Sequence, residues 1–339
     1  MNILIIGFGT AGKYYFNLLK NNKKIKNIFI SDLHNKNISP LNYINFEIKE
    51  IIKKKIKYAI IATPSNLHYK FAKILIENNI NILIEKPFVL KLSHAKKLIN
   101  ISKAKKIKCW VTFQNRYNLA IQKLKKIINN KTLGKIFLAD CSLLWSRNKK
   151  YYSVSWKGKF KSDGGVIANQ AIHLLDAVFY IFGKIVKFNS ILVYNKKKLD
   201  AEDLAIINFV HKNNVISSFK VTTRANQNYS SSIDVLGEKG RAKVSGVSLN
   251  IFNLFYKQKT FLDKKNSEIF SSRAGQVGAM GNGHSKILKE FLQKNKFKSS
   301  KDLEIHKNLH VIQVLHSIYN NSNTKNLFEI LDKQSKLGR

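Results

Sequence analysis

The apolar run Asn2-Ile3-Leu4-Ile5-Ile6 leads directly into Gly7-Phe8-Gly9-Thr10-Ala11-Gly12, and this junction constrains the fold more than any other part of the chain. A strand-length apolar segment is followed by three glycines. Gly7 suits a tight turn, Gly9 a close backbone approach to pyrophosphate, and Gly12 close packing of a helix on a strand. The helix is predicted from Ala11 to Lys20, and a second strand over Ile28-Phe29-Ile30-Ser31 ends at Asp32, twenty residues beyond Gly12. A carboxylate there accepts from a ribose 2′-hydroxyl and repels a 2′-phosphate. The expected cofactor is therefore NAD in preference to NADP, with His34 and Lys36 adding a small opposing positive charge.

The alternation continues. Strands are predicted at Tyr58 to Ala62, 80–84 and Lys108 to Phe113, with helices at Leu67 to Glu77 and from a Ser93 cap to near Lys106. This is the pattern of a doubly wound parallel sheet. From about residue 120 the rhythm changes: a helix at 119–129, strand-like 135–146, and an amphipathic helix from about Val166 to Phe182. Strands then predominate, at 185–194, 204–211, 215–223, 231–236 and 241–245, before helical patterns return at 284–294 and 303–320. The expected fold class is α/β. An N-terminal Rossmann domain over 1–120 precedes an α+β domain over 121–339 with a large, mostly antiparallel open sheet.

At 339 residues and 44% hydrophobic, the chain can bury two cores. Its longest apolar runs are strand-length, so no membrane span is expected, and Met1 to Ile6 lacks a signal peptide's basic flank and cleavage site. A cytoplasmic protein is expected. Cys109 and Cys141 match neither a zinc spacing nor a disulfide framework. The formal charge of +40 invites a nucleic-acid reading, but only six of the 60 cationic residues are arginines and the lysines are dispersed. Base readout and bidentate phosphate binding favour arginine, so no specific nucleic-acid partner is expected.

At the carboxyl end of the strand at 80–84 stands Glu85-Lys86-Pro87, which places an amine where open α/β sheets bind ligands. The strand before it ends in Ala62-Thr63-Pro64-Ser65-Asn66-Leu67-His68, a polar turn at the same edge. Asn169 and His173 are four residues apart and face the same way on a helix. His306 and His310 share that spacing, but no third ligand is evident and no metal is expected.

Taken in order, these segments resemble the Gfo/Idh/MocA family of NAD(P)-dependent sugar and cyclitol oxidoreductases. Gln114-Asn115-Arg116-Tyr117-Asn118, Trp156-Lys157-Gly158, Asp163-Gly164-Gly165, Asn169 to Asp176, Glu202-Asp203, Leu236 to Gly240, Gly281-Asn282-Gly283-His284 and Leu337-Gly338-Arg339 extend the agreement over nearly the whole chain. Within the family the chain looks most like the branch that oxidises the 3-hydroxyl of nucleotide-activated amino sugars for surface polysaccharides. The resemblance implies catalytic roles for Lys86 and His173, with His173 as base and Lys86 beside the developing alkoxide. It implies substrate contacts from Asn169, Arg116 and Tyr152, with Tyr151 beside them. The cofactor-contacting set becomes Gly7, Phe8, Gly9, Thr10, Ala11, Gly12, Asp32, Thr63, Pro64, Asn66, His68, Glu85 and Lys86. Many relatives carry aspartate where Asn169 stands, and asparagine cannot exchange a proton. The implied partner is a sugar or nucleotide sugar, and the implied assembly a homodimer or homotetramer paired through the open sheet face.

Overall fold

The computed structural model describes residues 1–33, 42–194, 199–256, 267–270, 283–293 and 302–321. The chain begins β1 (Asn2–Ile6), α1 (Thr10–Leu19), β2 (Asn27–Ser31), β3 (Asn42–Tyr43), α2 (Ile48–Lys53), β4 (Ile56–Ile61), α3 (His68–Glu77), β5 (Asn81–Ile84), α4 (Leu92–Ala104), β6 (Cys109–Val111) and α5 (Leu119–Asn129). Ile3, Leu4 and Ile5 are fully buried, as are Ile82, Leu83 and Ile84. Such uninterrupted apolar strands are stable only in a parallel sheet covered on both faces. The six strands pair in the order β3-β2-β1-β4-β5-β6, all parallel. The winding reverses between β1 and β4, so the carboxyl ends of those strands flank the crevice where open α/β sheets take ligands.

The second half contains β7 (Ile136–Leu144), α6 (Lys149–Tyr152), α7 (Ile172–Phe182), β8 (Ile185–Tyr194), β9 (Glu202–His211), β10 (Ile216–Thr222), β11 (Ser230–Gly237), β12 (Gly240–Ser245), β13 (Ile251–Tyr256), β14 (Ser267–Ile269), α8 (Gly283–Phe291) and α9 (Leu309–Asn321). The strand order is β14-β13-β12-β11-β7-β10-β9-β8, and β7 with β10 forms the parallel pair in an otherwise antiparallel sheet. Burial alternates along β7: Ala139, Cys141 and Leu143 point into the core while Asp140 and Ser142 face the other way. Helices α5 and α9 pack against this sheet, on β12 and β8 respectively. Ile206 and Ile216 remain exposed on it.

Several expectations change. Lys91, not Ser93, stands at the N-cap of α4, and it makes no side-chain cap. The expected helix at 166–182 opens as a π-helical turn over Ile167–Ala171 before α7 begins. Helix α2 and strands β3, β13 and β14 were not anticipated; β3 and β14 have only two and three residues, too short to carry a period. His34, Lys36, Gly281, Asn282 and Leu337 to Arg339 lie outside the described residues. Cys109 and Cys141 are buried in different sheets, where burial pushes both thiols upward. No helix among the described residues is long and apolar enough to cross a membrane.

Candidate active site

The glycine turn divides its labour as its spacing suggests. Gly7 has φ +88°, and a Cβ there would lie 2.7 Å from the Ala62 carbonyl oxygen; at Gly12 it would lie 2.0 Å from the Gly7 carbonyl oxygen. Those two glycines let β1, α1 and the end of β4 close on one another. Gly9 is different, because a Cβ there would meet nothing within 4 Å. It opens α1 without a side-chain cap, and the first turn holds no acidic residue. The first-turn N–H groups and the positive end of the helix dipole are thus presented beside an exposed backbone, a cradle that fits a pyrophosphate. Asp32 lies at the end of β2, its Oδ2 accepting from the Phe8 N–H at 2.6 Å. Thr63, Pro64 and Asn66 follow β4, and a Cβ at Gly7 would lie 2.9 Å from the Thr63 nitrogen.

A cavity of about 520 Å³ lies between residues of the two halves of the chain. One wall carries Glu85, Lys86, Gln114 and His284; the other carries Trp145, Arg147, Tyr151, Asn169, His173 and Ser231. Glu85 is fixed by Tyr15 of α1, whose hydroxyl donates to Oε1 at 2.5 Å and lies 3.0 Å from the Thr112 hydroxyl. With Glu85 so held, Lys86 reaches away from it across the cavity. Its Nζ donates to the Asn169 carbonyl at 2.6 Å and lies 3.4 Å from Asn169 Oδ1. Burial lowers the Lys86 amine below its ordinary value, with Glu85 and Asp163 opposing that shift and Arg147 adding to it.

His173 sits at the start of α7 with Nδ1 buried and without a partner among the described residues, and its Nε2 lies 3.5 Å from Gln114 Nε2. Burial pushes its pKa well below the ordinary imidazole value, and the charges of Lys86 and His284 push the same way. The ring is therefore neutral at neutral pH and able to take a proton. The π-helical turn just before it turns Asn169, Gln170, His173 and Leu174 together into the cavity. Asn169 is fixed in turn, its Nδ2 donating to Asp163 Oδ1 and lying 3.4 Å from the Tyr151 hydroxyl.

Two family models match the chain: the GFO/IDH/MocA oxidoreductase NAD-binding Rossmann fold over residues 1–113, and the GFO/IDH/MocA C-terminal domain over 121–243. The chain belongs to the GFO/IDH/MocA oxidoreductase family. An uncharacterised oxidoreductase of Synechocystis is 24% identical over 212 residues, 59% of this chain and 57% of that protein. The myo-inositol 2-dehydrogenase of Thermotoga maritima is 24% identical over 187 residues, 54% of each chain. The chain thus aligns with little more than half the length of these curated relatives. Among solved structures, the WlbA dehydrogenase of Bordetella pertussis, in complex with NADH and UDP-GlcNAcA, superposes with a TM-score of 0.80 at 20% identity, covering 94% of this chain and 95% of that one. The fold is shared from end to end.

Within this GFO/IDH/MocA fold, not every expected contact reaches the cavity. Arg116, expected on substrate, is buried and forks onto Asp176: Nε donates to Oδ2 at 2.9 Å and Nη2 to Oδ1. Nη1 donates to the Asp302 carbonyl at 2.7 Å and Nη2 also to Asn308 Oδ1 at 2.5 Å, so the guanidinium is occupied in joining the 114–117 turn to α7 and to the segment just before α9. Asp176 is accordingly bound to Arg116 rather than to His173. Tyr152 points elsewhere, its hydroxyl 3.0 Å from Thr223 Oγ1; Tyr151 lines the cavity instead. His68 is buried, with Nδ1 2.9 Å from the Pro87 carbonyl and Nε2 2.9 Å from the Thr63 carbonyl. It ties the two ligand-edge loops together. His306 and His310 diverge, one toward Glu304 and the other accepting from the Ile185 N–H. Arg147, Trp145, Gln114 and His284 line the cavity without having been singled out as site residues; Gln114 and His284 stand in motifs that carry the resemblance, while Trp145 and Arg147 had no signal beyond their position just after β7.

Proposed function

We propose that the protein catalyses NAD-dependent oxidation of a pyranose hydroxyl to a ketone, on a nucleotide-activated sugar of the kind used in surface-polysaccharide synthesis, in the cytoplasm. One observation carries the reading: Lys86, at the end of β5, crosses to Asn169 in a cavity that His173 also lines and whose Glu85 is bonded by Tyr15 of α1, the helix that Gly9 opens. Bound NAD supplies the hydride acceptor. His173 takes the hydroxyl proton as the carbon loses hydride, and the Lys86 ammonium stabilises the negative charge growing on that oxygen. Asn169 orients Lys86 and the sugar but exchanges no proton. Asp32 favours NAD over NADP by accepting from the ribose and repelling a 2′-phosphate. The UDP-GlcNAcA held by the WlbA dehydrogenase supports the substrate class. A second copy covers the exposed sheet face at Ile206 and Ile216, giving a homodimer or homotetramer.

Purified protein given NAD and a UDP-amino sugar or its uronic acid is expected to generate NADH. Lys86→Met should lower turnover by about 10²-fold or more while retaining NADH binding. No nicotinamide turnover in either direction across a broad sugar and cyclitol panel would sink the proposal.

A further inference from the structure

We infer that the β7–β11 wall of the cavity is an anion subsite, in which Arg147 takes a carboxylate or phosphate carried by the sugar substrate. The inference deepens the dehydrogenase reading above and rests on it for the identity of the ligand as a sugar.

Four arginines lie among the described residues, and three of them are forked or paired onto an aspartate: Arg116 on Asp176, Arg224 on Asp203 and Arg241 on Asp234. Arg147 makes no such pair among the described residues. Its Nη1 donates to the Ser146 carbonyl at 2.8 Å and lies 3.4 Å from Asn228 Oδ1, while its Nε is buried and unpartnered. Aromatic rings hold it in place: Cζ lies 4.8 Å from the Trp145 ring centroid and 5.1 Å from that of Tyr151. A guanidinium clamped between rings keeps its planar fork oriented, which is the geometry that binds carboxylate and phosphate oxygens.

The surrounding donors are of the same kind. Trp145 Nε1 and Ser231 Oγ are both buried and without a partner among the described residues, as is Arg147 Nε, and all three residues line this cavity. Register explains their meeting. Ser231 pairs with Leu143 in the β7–β11 ladder, so the residues just past the end of β7 and at the start of β11 share one edge. Lys157 Nζ, 4.0 Å from the Tyr151 ring centroid, adds positive charge. A buried donor without an acceptor is costly unless a ligand supplies one, and here three of them gather on one wall.

Tyr151 relates this subsite to the reacting end. Its ring carries Arg147, while its hydroxyl accepts from Gln170 Nε2 at 3.0 Å and lies 3.4 Å from Asn169 Nδ2, next to Lys86. An anionic group on Arg147 and a hydroxyl between Lys86 and His173 are therefore one tyrosine side chain apart, as two substituents of a single pyranose would be.

UDP-glucuronic acid and UDP-glucose differ by a carboxylate in place of a hydroxymethyl group. Their affinities for the NADH-loaded protein, measured by calorimetry, test the subsite without turnover. The wild type is expected to favour UDP-glucuronic acid by about tenfold or more, and Arg147→Met to abolish that preference. An equal loss of affinity for both ligands in the variant would assign the anion to the diphosphate instead. Free glucuronate and glucose 6-phosphate, each against glucose, repeat the comparison without the nucleotide. Arg147→Met binding every anionic ligand as tightly as the wild type does, with NADH binding confirming an intact fold, overturns the subsite. Absence of NAD reduction with Arg147-dependent anion binding intact would overturn only the dehydrogenase reading.

Discussion

The two walls of the cavity treat their polar atoms differently. Behind the wall on the side of the first sheet, Tyr15 donates to Glu85, Thr112 donates to the Ile84 carbonyl, and every nitrogen of the Arg116 guanidinium donates to an acceptor. On the side of the second sheet, Trp145, Arg147, His173 and Ser231 each keep a buried polar atom without a partner among the described residues. Gln114, at the seam, shares that property through Oε1. Saturated groups fix the loops that carry Glu85 and Lys86; unsaturated ones have binding capacity left for a ligand. The same residue type serves both ends, as Arg116 and Arg147 show.

That contrast predicts opposite behaviour for the two arginines on truncation. Arg116→Met leaves Asp176 charged and buried without its fork, which should destabilise the protein by about 3–5 kcal/mol. Arg147→Met removes no ion pair and should cost under about 1 kcal/mol. Denaturant unfolding of both variants measures the difference. Equal losses would dissolve the distinction between a structural and a ligand-binding arginine. Restoring neutrality in the double variant, Arg116→Met with Asp176→Leu, should recover part of the first loss.

How much of this was legible in the sequence follows from the range of the forces involved. The first sheet was readable because it is encoded locally: continuous apolar strands, glycines at fixed offsets, Asp32 at a fixed distance. That Lys86, Asn169 and His173 meet in one cavity was readable because they sit in the ordered motifs that carry the resemblance. The roles of the arginines were not. Asp302 and Asn308, which occupy Arg116, lie about 190 residues away in sequence, and nothing in the local pattern at 116 or 147 records which guanidinium finds an acceptor. The exchange of Tyr152 for Tyr151 has a related cause. In the four-residue helix α6 adjacent side chains diverge, and composition cannot say which one turns inward.

Glu202 sharpens the comparison from the second sheet, because its unpartnered oxygen lies against the chain and not in the cavity. Its Oε1 accepts from the Ile167 N–H at 3.0 Å and the Tyr319 hydroxyl at 2.8 Å, anchoring the turn that carries Asn169. Oε2 has no partner and packs on Gly165, where a Cβ would come within 1.8 Å. Burial pushes this carboxyl up to about 7 from an ordinary 4.5. The folded pKa is the higher one, so the associated stability is fully present below the unfolded pKa and is lost as pH rises to and through about 7. The full loss is about 3 kcal/mol. Glu202→Gln keeps an acceptor for Ile167 and Tyr319 and should flatten stability across that window. An unfolding midpoint as pH-dependent as the wild type's would show that Glu202 does not titrate there.

The smallest expected effect lies at Asp32, a carboxylate that is bonded within the fold and that the proposed cofactor preference also asks to recognise a ligand. Both demands fall on one carboxylate: Oδ2 holds the Phe8 N–H at 2.6 Å, and the group as a whole must discriminate at the ribose 2′ position. Asp32→Ala removes the negative charge that would repel a 2′-phosphate, so the NADPH-to-NADH affinity ratio should rise by about tenfold, close to 1.4 kcal/mol. Titration of both reduced cofactors by nicotinamide fluorescence gives that ratio directly. If the two affinities fall together, the carboxylate serves only to brace the glycine turn. A change in the ratio alone makes Asp32 the point where the rigid side of the molecule itself reads its ligand, and the division between the walls then applies to the sugar cavity and not to the cofactor cradle.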